Sequence, residues 1–329
     1  MENKLDVAPL SMDRTGLKKG ALAGEVAVVT GGTSNIGLAT ARCLAWLGAK
    51  LVIAARNPER GAATVALLDK ENGPGTALFV STDVSDEARM KTMAQKAFDT
   101  FGKVDILVNN AMDMSLGAPV LTTTVQQVDR QYEIAVRGAL LGIQLFVPGM
   151  QQRHHGVVTY VATTFRYPYG PSNYCAIKGA TVSLMLSLAA ELGPVAKSGV
   201  SVFTYIPGLV GRPRPERQDR PRAFVAPLAM PGYPGPYPPE DCGAALAYAI
   251  VHAAELHGSG TIIGQALRQM DWKYPKPETA PQSDLERLSD EIEVRMFGHL
   301  GPGFPDPKQP LRSINRSEAP PMKPWAHPD

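Results

Sequence analysis

The chain has 329 residues, is 44% hydrophobic, and sets 33 Lys and Arg against 31 Asp and Glu for a net charge of +2. Charge this balanced gives no global attraction to nucleic acid or an anionic membrane, so neither is expected as a partner. Three cysteines, Cys43, Cys175 and Cys242, are too few and scattered for a disulfide framework or a thiolate metal site, and no metal is expected.

The opening MENKLDVAPLSMDRTGLKKG has no apolar signal-peptide core and reads as an extension over residues 1–20. No apolar run approaches the length of a membrane span, so the expected setting is the cytoplasm. From residue 25 on, short Val- and Ile-rich runs recur: 25–30, 50–55, 76–82, 105–110, 156–162, 199–206 and 260–264. They are continuously apolar rather than alternating, as in strands buried on both faces. Apolar residues at helical spacing lie between them over 36–48, 85–102, 125–150, 172–192 and 238–255, with Ser85, Asp86 and Glu87 forming a helix start. This alternation predicts an α/β fold with a Rossmann-like, doubly wound parallel sheet, one domain over 21–271.

Two segments fall outside the alternation. Residues 211–238 form a Pro-rich loop, read as a substrate loop. Residues 272–329 form a Pro-rich tail with one amphipathic helical island, 283–300, either docked or loosely attached.

The stretch TGGTSNIG, residues 30–37, sits between the first strand and the first helix. A helix N-terminus presents unpaired N–H groups and a positive dipole end, and glycine lets a pyrophosphate come close. Gly31 and Gly37 suit the turn and its packing. Asn35 stands where a bare backbone is most needed, but Asn tolerates a left-handed backbone better than other non-glycine residues. The second strand ends in Ala55 and Arg56 rather than an acid. A cation without a carboxylate suits a 2′-phosphate, which favours NADP(H) over NAD.

Further on, Tyr174 and Lys178 stand four apart on a predicted helix, so phenol and ammonium share a face. With TGGTSNIG, TDV at 82–84, NNAM at 109–112 and IPGLV at 206–210, this order of motifs over residues 20–270 resembles the NADP-preferring short-chain dehydrogenases/reductases. The resemblance implies Tyr174 as acid–base group, with Lys178 lowering its pKa and holding the nicotinamide ribose. It implies Thr163 in the role of the family's serine, with Thr164 the alternative. It places Gly31, Thr33, Ser34, Asn35, Ile36 and Gly37 on the pyrophosphate, and Arg56 on the 2′-phosphate. Asp83 and Val84 fall to the adenine, and Asn110, Ala111, Pro207, Gly208 and Val210 flank the rest of the cofactor. The helices over 125–150 and 172–192 would pair across a twofold axis into a homodimer or homotetramer.

Three positions depart from the family pattern. The asparagine that kinks the helix and anchors a proton-relay water falls at Ala135. Met112 replaces a glycine, and Arg212 stands where a threonine is frequent. The expected activity is NADP(H)-dependent carbonyl reduction or alcohol oxidation. The alternative is a non-redox isomerase, dehydratase or cyclase that keeps the dinucleotide as scaffold, and a cofactor sensor is least favoured. The five arginines of 212–222 read either as an anion clamp or, preferred, as a solvated loop. Phe165, Tyr167 and Tyr169 on one side, and Phe224, Tyr233 and Tyr237 on the other, suit a bulky or aromatic small-molecule substrate.

Overall fold

A computed structural model describes residues 5–10, 12–163, 171–208, 210–211, 237–263, 266–267 and 270. Seven strands, β1 (Val26–Thr30), β2 (Lys50–Ala55), β3 (Ala77–Ser81), β4 (Ile106–Asn109), β5 (Gly156–Val161), β6 (Val200–Ile206) and β7 (Ser259–Ile262), form one sheet in the order β3-β2-β1-β4-β5-β6-β7. Every neighbouring pair is parallel. The fold is therefore the doubly wound α/β sheet expected from the alternation.

The helices are α1 (Asn35–Trp46), α2 (Pro58–Asn72), α3 (Glu87–Phe101), α4 (Val125–Tyr132), α5 (Gly138–Gln152), α6 (Ser172–Leu192), α7 (Val195–Ser198) and α8 (Pro239–Val251). Two cores lie on opposite faces of the sheet. Ala27 and Val29 of β1 join residues of α1, α2 and α8, whereas Val26 and Val28 join residues of α3, α5 and α6. Burial on both faces explains the unbroken apolar runs. Strand order reverses between β1 and β4, and the crevice at their carboxyl ends is where such sheets take ligands.

Helix α2 is absent from the elements expected from sequence. Its cap is sound: Asn57 accepts from the Arg60 N–H at 2.9 Å, and Pro58 occupies the first turn. Gly61 weakens the helical pattern, and packing explains it, since a Cβ there would lie 2.3 Å from the Phe79 ring.

Part of the expected N-terminal extension belongs to the core. Met12 is buried against α1 and α8 residues. Arg42 of α1, itself buried, donates to the Ala8 carbonyl at 2.7 Å and pairs with Glu71, and Glu240 of α8 accepts the Ala8 N–H at 2.8 Å.

One sequence expectation is corrected. The rod Val125–Gln152 and helix Asn173–Leu192 are long and apolar enough to cross a membrane by length and composition. Both pack on the sheet, and helices buried in a core carry the same composition. At the opposite, amino-terminal edge, Glu25, Asp105 and His155 bring ligand atoms within 4.8 Å of one another. Asp105 there is already paired with Lys103 at 2.8 Å and Arg153 at 3.3 Å.

Candidate active site

The glycine-rich turn leaves β1 at Thr30 and enters α1. Gly31 has φ 66°, and a Cβ on it would meet Asn110 Nδ2 at 2.9 Å. A Cβ on Gly37 would lie 2.4 Å from the Gly31 carbonyl oxygen. Asn35 has φ 48°, so the residue that looked out of place holds the left-handed conformation that asparagine tolerates. Ser34 stands at the N-cap without a side-chain cap bond. The first turn of α1 thus keeps donors for an anion. Thr33 is buried, and its carbonyl accepts from Arg60 Nη2 at 3.1 Å.

β4 closes on this turn. Asn110 Nδ2 donates to the Thr30 carbonyl at 2.8 Å, and the Asn110 and Ala111 N–H groups donate to Thr30 Oγ1 at 2.9 and 3.1 Å. Arg56 stands at the end of β2 with its side chain 61% exposed, 3.5 Å from Asp113 Oδ2. Beside it, Asp83 receives Ser85 on one oxygen and Arg130 Nη2 on the other at 2.7 Å. Partial burial opposes ionisation, but the Ser85 and Arg130 hydrogen bonds prevail and hold the Asp83 carboxyl below its usual range.

The second half of the site forms where β5 ends and α6 begins. Lys178 is buried and donates to the Val161 carbonyl. The Thr163 hydroxyl hydrogen-bonds the Tyr174 phenol. Tyr174, Lys178 and Thr163 therefore meet at the carboxyl edge of the sheet. Asn173 ties the loop at 116–118 to the first turn of α6: its Oδ1 accepts from the Ala118 and Tyr174 N–H groups, both at 2.9 Å, and its Nδ2 donates to Leu116 O at 2.8 Å. Pro207 is buried past the end of β6, and Gly208 has φ 69°. Val210 pairs with Tyr237, and the Gly211 N–H donates to Tyr237 O at 2.9 Å.

Residues 25–220 match the family described as short chain dehydrogenase. The chain belongs to that family. It is 30% identical over 240 residues to the uncharacterized oxidoreductase YhdF of Bacillus subtilis (strain 168), covering 71% of this chain and 81% of that one. It is 36% identical over 185 residues to the 4-formylbenzenesulfonate dehydrogenase TsaC1/TsaC2 of Comamonas testosteroni, covering 56% of this chain and 71% of that one. The solved L-sorbose reductase of Gluconobacter frateurii, complexed with NADPH and L-sorbose, superposes with a TM-score of 0.65 at 25% identity, over 74% of this chain and 97% of that one. The chain is thus an enzyme of the dehydrogenase/reductase type.

The short-chain dehydrogenase shows its departures in place. Ala135 is buried in a π-helical turn, Glu133–Arg137, that joins α4 to α5. The helix is interrupted here without an asparagine. The Gly138 N–H reaches both Glu133 O and Ala135 O, and a Cβ on Gly138 would lie 3.1 Å from the Val84 side chain. Met112 sits half-buried on the loop after Ala111.

The electrostatics differ from the sequence expectation. Burial pushes the Tyr174 phenol up to about 12, with the Thr163 hydrogen bond as a partial offset. Burial likewise brings the Lys178 ammonium down to about 7. Lys178 Nζ stands 5.7 Å from the Tyr174 ring centroid, and burial is the largest influence on the phenol.

Sequence reasoning passed over Thr30, Asn173, Arg130, Asp113 and Tyr160. Thr30, which opens TGGTSNIG, and Asn173, adjacent to Tyr174, lay within reach of motif reading. Thr164, Phe165, Tyr167, Tyr169, the arginines of 212–222, Phe224, Tyr233 and the island 283–300 lie outside the described residues.

Proposed function

We propose that this dehydrogenase is an NADP(H)-dependent carbonyl reductase or alcohol dehydrogenase with Tyr174 as its acid–base group. The observation that carries the reading is the meeting of Tyr174, Thr163 and buried Lys178 at the same carboxyl edge of the sheet as the phosphate turn. The turn fits a dinucleotide, because side chains at Gly31 and Gly37 would fill the cradle and α1 begins without a side-chain cap. Residues 31–37 would hold the pyrophosphate, Arg56 the 2′-phosphate, Asp83 and Val84 the adenine, and Lys178 the nicotinamide ribose. Asn110, Ala111, Pro207, Gly208 and Val210 would flank the rest. Bound there, the dinucleotide supplies or accepts a hydride at the substrate's carbonyl carbon. Tyr174, kept neutral by burial, donates its proton to the carbonyl oxygen in reduction. Thr163 donates a second hydrogen bond to that oxygen.

The substrate we infer is a bulky or aromatic carbonyl compound. Met114, Val120 and Leu121 are exposed on the segment that Asn173 ties to the first turn of α6, which offers apolar surface on the side of the fold where Tyr174 begins α6. An aromatic aldehyde bearing an anion, as in the name of the Comamonas testosteroni relative, is of this class. The test is NADPH consumption with aromatic aldehydes, 4-formylbenzenesulfonate and L-sorbose. Loss on Tyr174→Phe is expected; undiminished turnover would overturn the reading.

One observation favours the non-redox alternative: the buried Ala135 offers no side-chain hydrogen bond near the proton path. Product formed without any net change in nicotinamide redox state would establish it. We further propose a homodimer or homotetramer through α4, α5 and α6, where Tyr132 and Leu140 are exposed.

A further inference from the structure

Lys178 reaches its place with few polar partners. Its ammonium donates to Val161 O and lies 4.5 Å from the centroid of the Tyr160 ring and 5.7 Å from that of Tyr174. Burial lowers its pKa, and no carboxylate among the described residues contributes to the shift. Three ionisable groups on the elements packed against α6 have partners of their own. Arg130 of α4 pairs with Glu133 of the π-helical turn at 2.9 Å, Arg137 faces Glu87, and the Tyr205 hydroxyl of β6 donates to Cys242 O at 3.0 Å.

Tyr160, on β5, is 1% exposed and its hydroxyl has no hydrogen-bond partner among the described residues. The Thr181 hydroxyl lies beside it but donates to Ile177 O at 3.1 Å. The hydroxyl's near polar neighbour is Thr181, and what this side chain presents to Lys178 is its ring face. A cation over an aromatic face is attracted by the ring quadrupole, most strongly where water is excluded. Both groups here are buried.

We propose that Tyr160 is a positioning residue for the reaction: its ring face holds the Lys178 ammonium, against Val161 O, in a site where position 135 offers no polar side chain. The inference rests on the role given to Lys178 under Proposed function. Without the ring, the ammonium loses its main stabilising neighbour apart from one carbonyl, and the charged form is less populated near neutral pH.

The experiment is a titration of the lysine side-chain resonances of the isotope-labelled full chain, for wild type, Tyr160→Phe and Tyr160→Met. The Lys178 signal is identified by its absence in Lys178→Met. Phe keeps the ring face; Met keeps comparable volume without it. The expected result is that Phe titrates with wild type and Met titrates lower by roughly half a unit to one unit. In active enzyme the Met variant loses kcat several-fold above neutral pH, while Phe does not. If Phe and Met shift together, or neither shifts, the proposal is overturned. Tyr160→Leu, read the same way, decides the matter should Met fail to fold by circular dichroism. Because the titration needs no turnover, an inactive wild type would overturn the proposed reaction and still leave the Tyr160 result readable.

Discussion

Asn110 donates its side-chain N–H to the main-chain oxygen of Thr30 at 2.8 Å, and so ties the end of β4 to the start of the phosphate turn. The two strands flank the point where the sheet order reverses. Removing the carboxamide frees a carbonyl inside the cradle. Asn110→Ala is expected to lower stability by about 1–2 kcal/mol in denaturant unfolding. It should also weaken NADPH binding severalfold by calorimetry, since the turn loses its staple.

Gly37 admits no side chain without a shift of main chain, because its Cβ would lie 2.4 Å from Gly31 O. Gly37→Ala should therefore reduce NADPH affinity by at least about tenfold, reflecting a displaced turn. Ser34→Ala serves as the contrast. Ser34 is exposed and makes no side-chain cap bond, so its loss should leave the melting temperature within a degree or two.

Arg56 and Asp113 form an exposed pair that contributes little to stability but, with Arg56 proposed on the 2′-phosphate, is expected to bear on cofactor choice. Ser115 and Arg56 hold the Asp113 carboxyl below its usual range, so it stays ionised under assay conditions. It then competes with a 2′-phosphate for the guanidinium. Arg56→Ala should weaken NADPH binding by roughly ten- to a hundredfold and leave NADH nearly unchanged. Asp113→Asn should tighten NADPH binding a few-fold, more at low salt. Titration calorimetry at two ionic strengths reads both effects.

Lys178 makes stability depend on pH with a defined sign. Its folded-state pKa, about 7, lies below the unfolded value near 10.4. Between these values the unfolded chain binds the proton and the folded chain does not, so this group makes stability rise with pH. Below about 7 the folded protein bears the full cost of a buried ammonium. Lys178→Met should raise the melting temperature by several degrees at about pH 6 and flatten the rise above neutrality, while abolishing activity. Parallel pH–stability curves for variant and wild type would refute this.

Much of this was legible from residue type and spacing. All seven strands fall where the apolar runs lie, because a parallel sheet buried on both faces writes itself as continuous Val and Ile. Tyr174 and Lys178 were legible because helical spacing alone brings them together. Helix α2 was not, because Phe79 demands a glycine at position 61 inside its first turns. The π-helical turn around Ala135 was hidden for another reason. It arises where Gly138 approaches Val84, a contact between residues far apart in the chain. The depth of Lys178, and hence the direction of its own pKa shift, follows from packing that no motif encodes. The same holds for Arg56 with Asp113 and for Arg42 with Ala8.

The most direct test of the central claim is NADPH oxidation, followed by absorbance, for wild type and Tyr174→Phe with 4-formylbenzenesulfonate and other aromatic aldehydes. Wild type is expected to consume NADPH in step with alcohol formation, and the Phe variant to lose at least about a hundredfold in kcat with its NADPH affinity preserved. Turnover by Tyr174→Phe at the wild-type rate would contradict it.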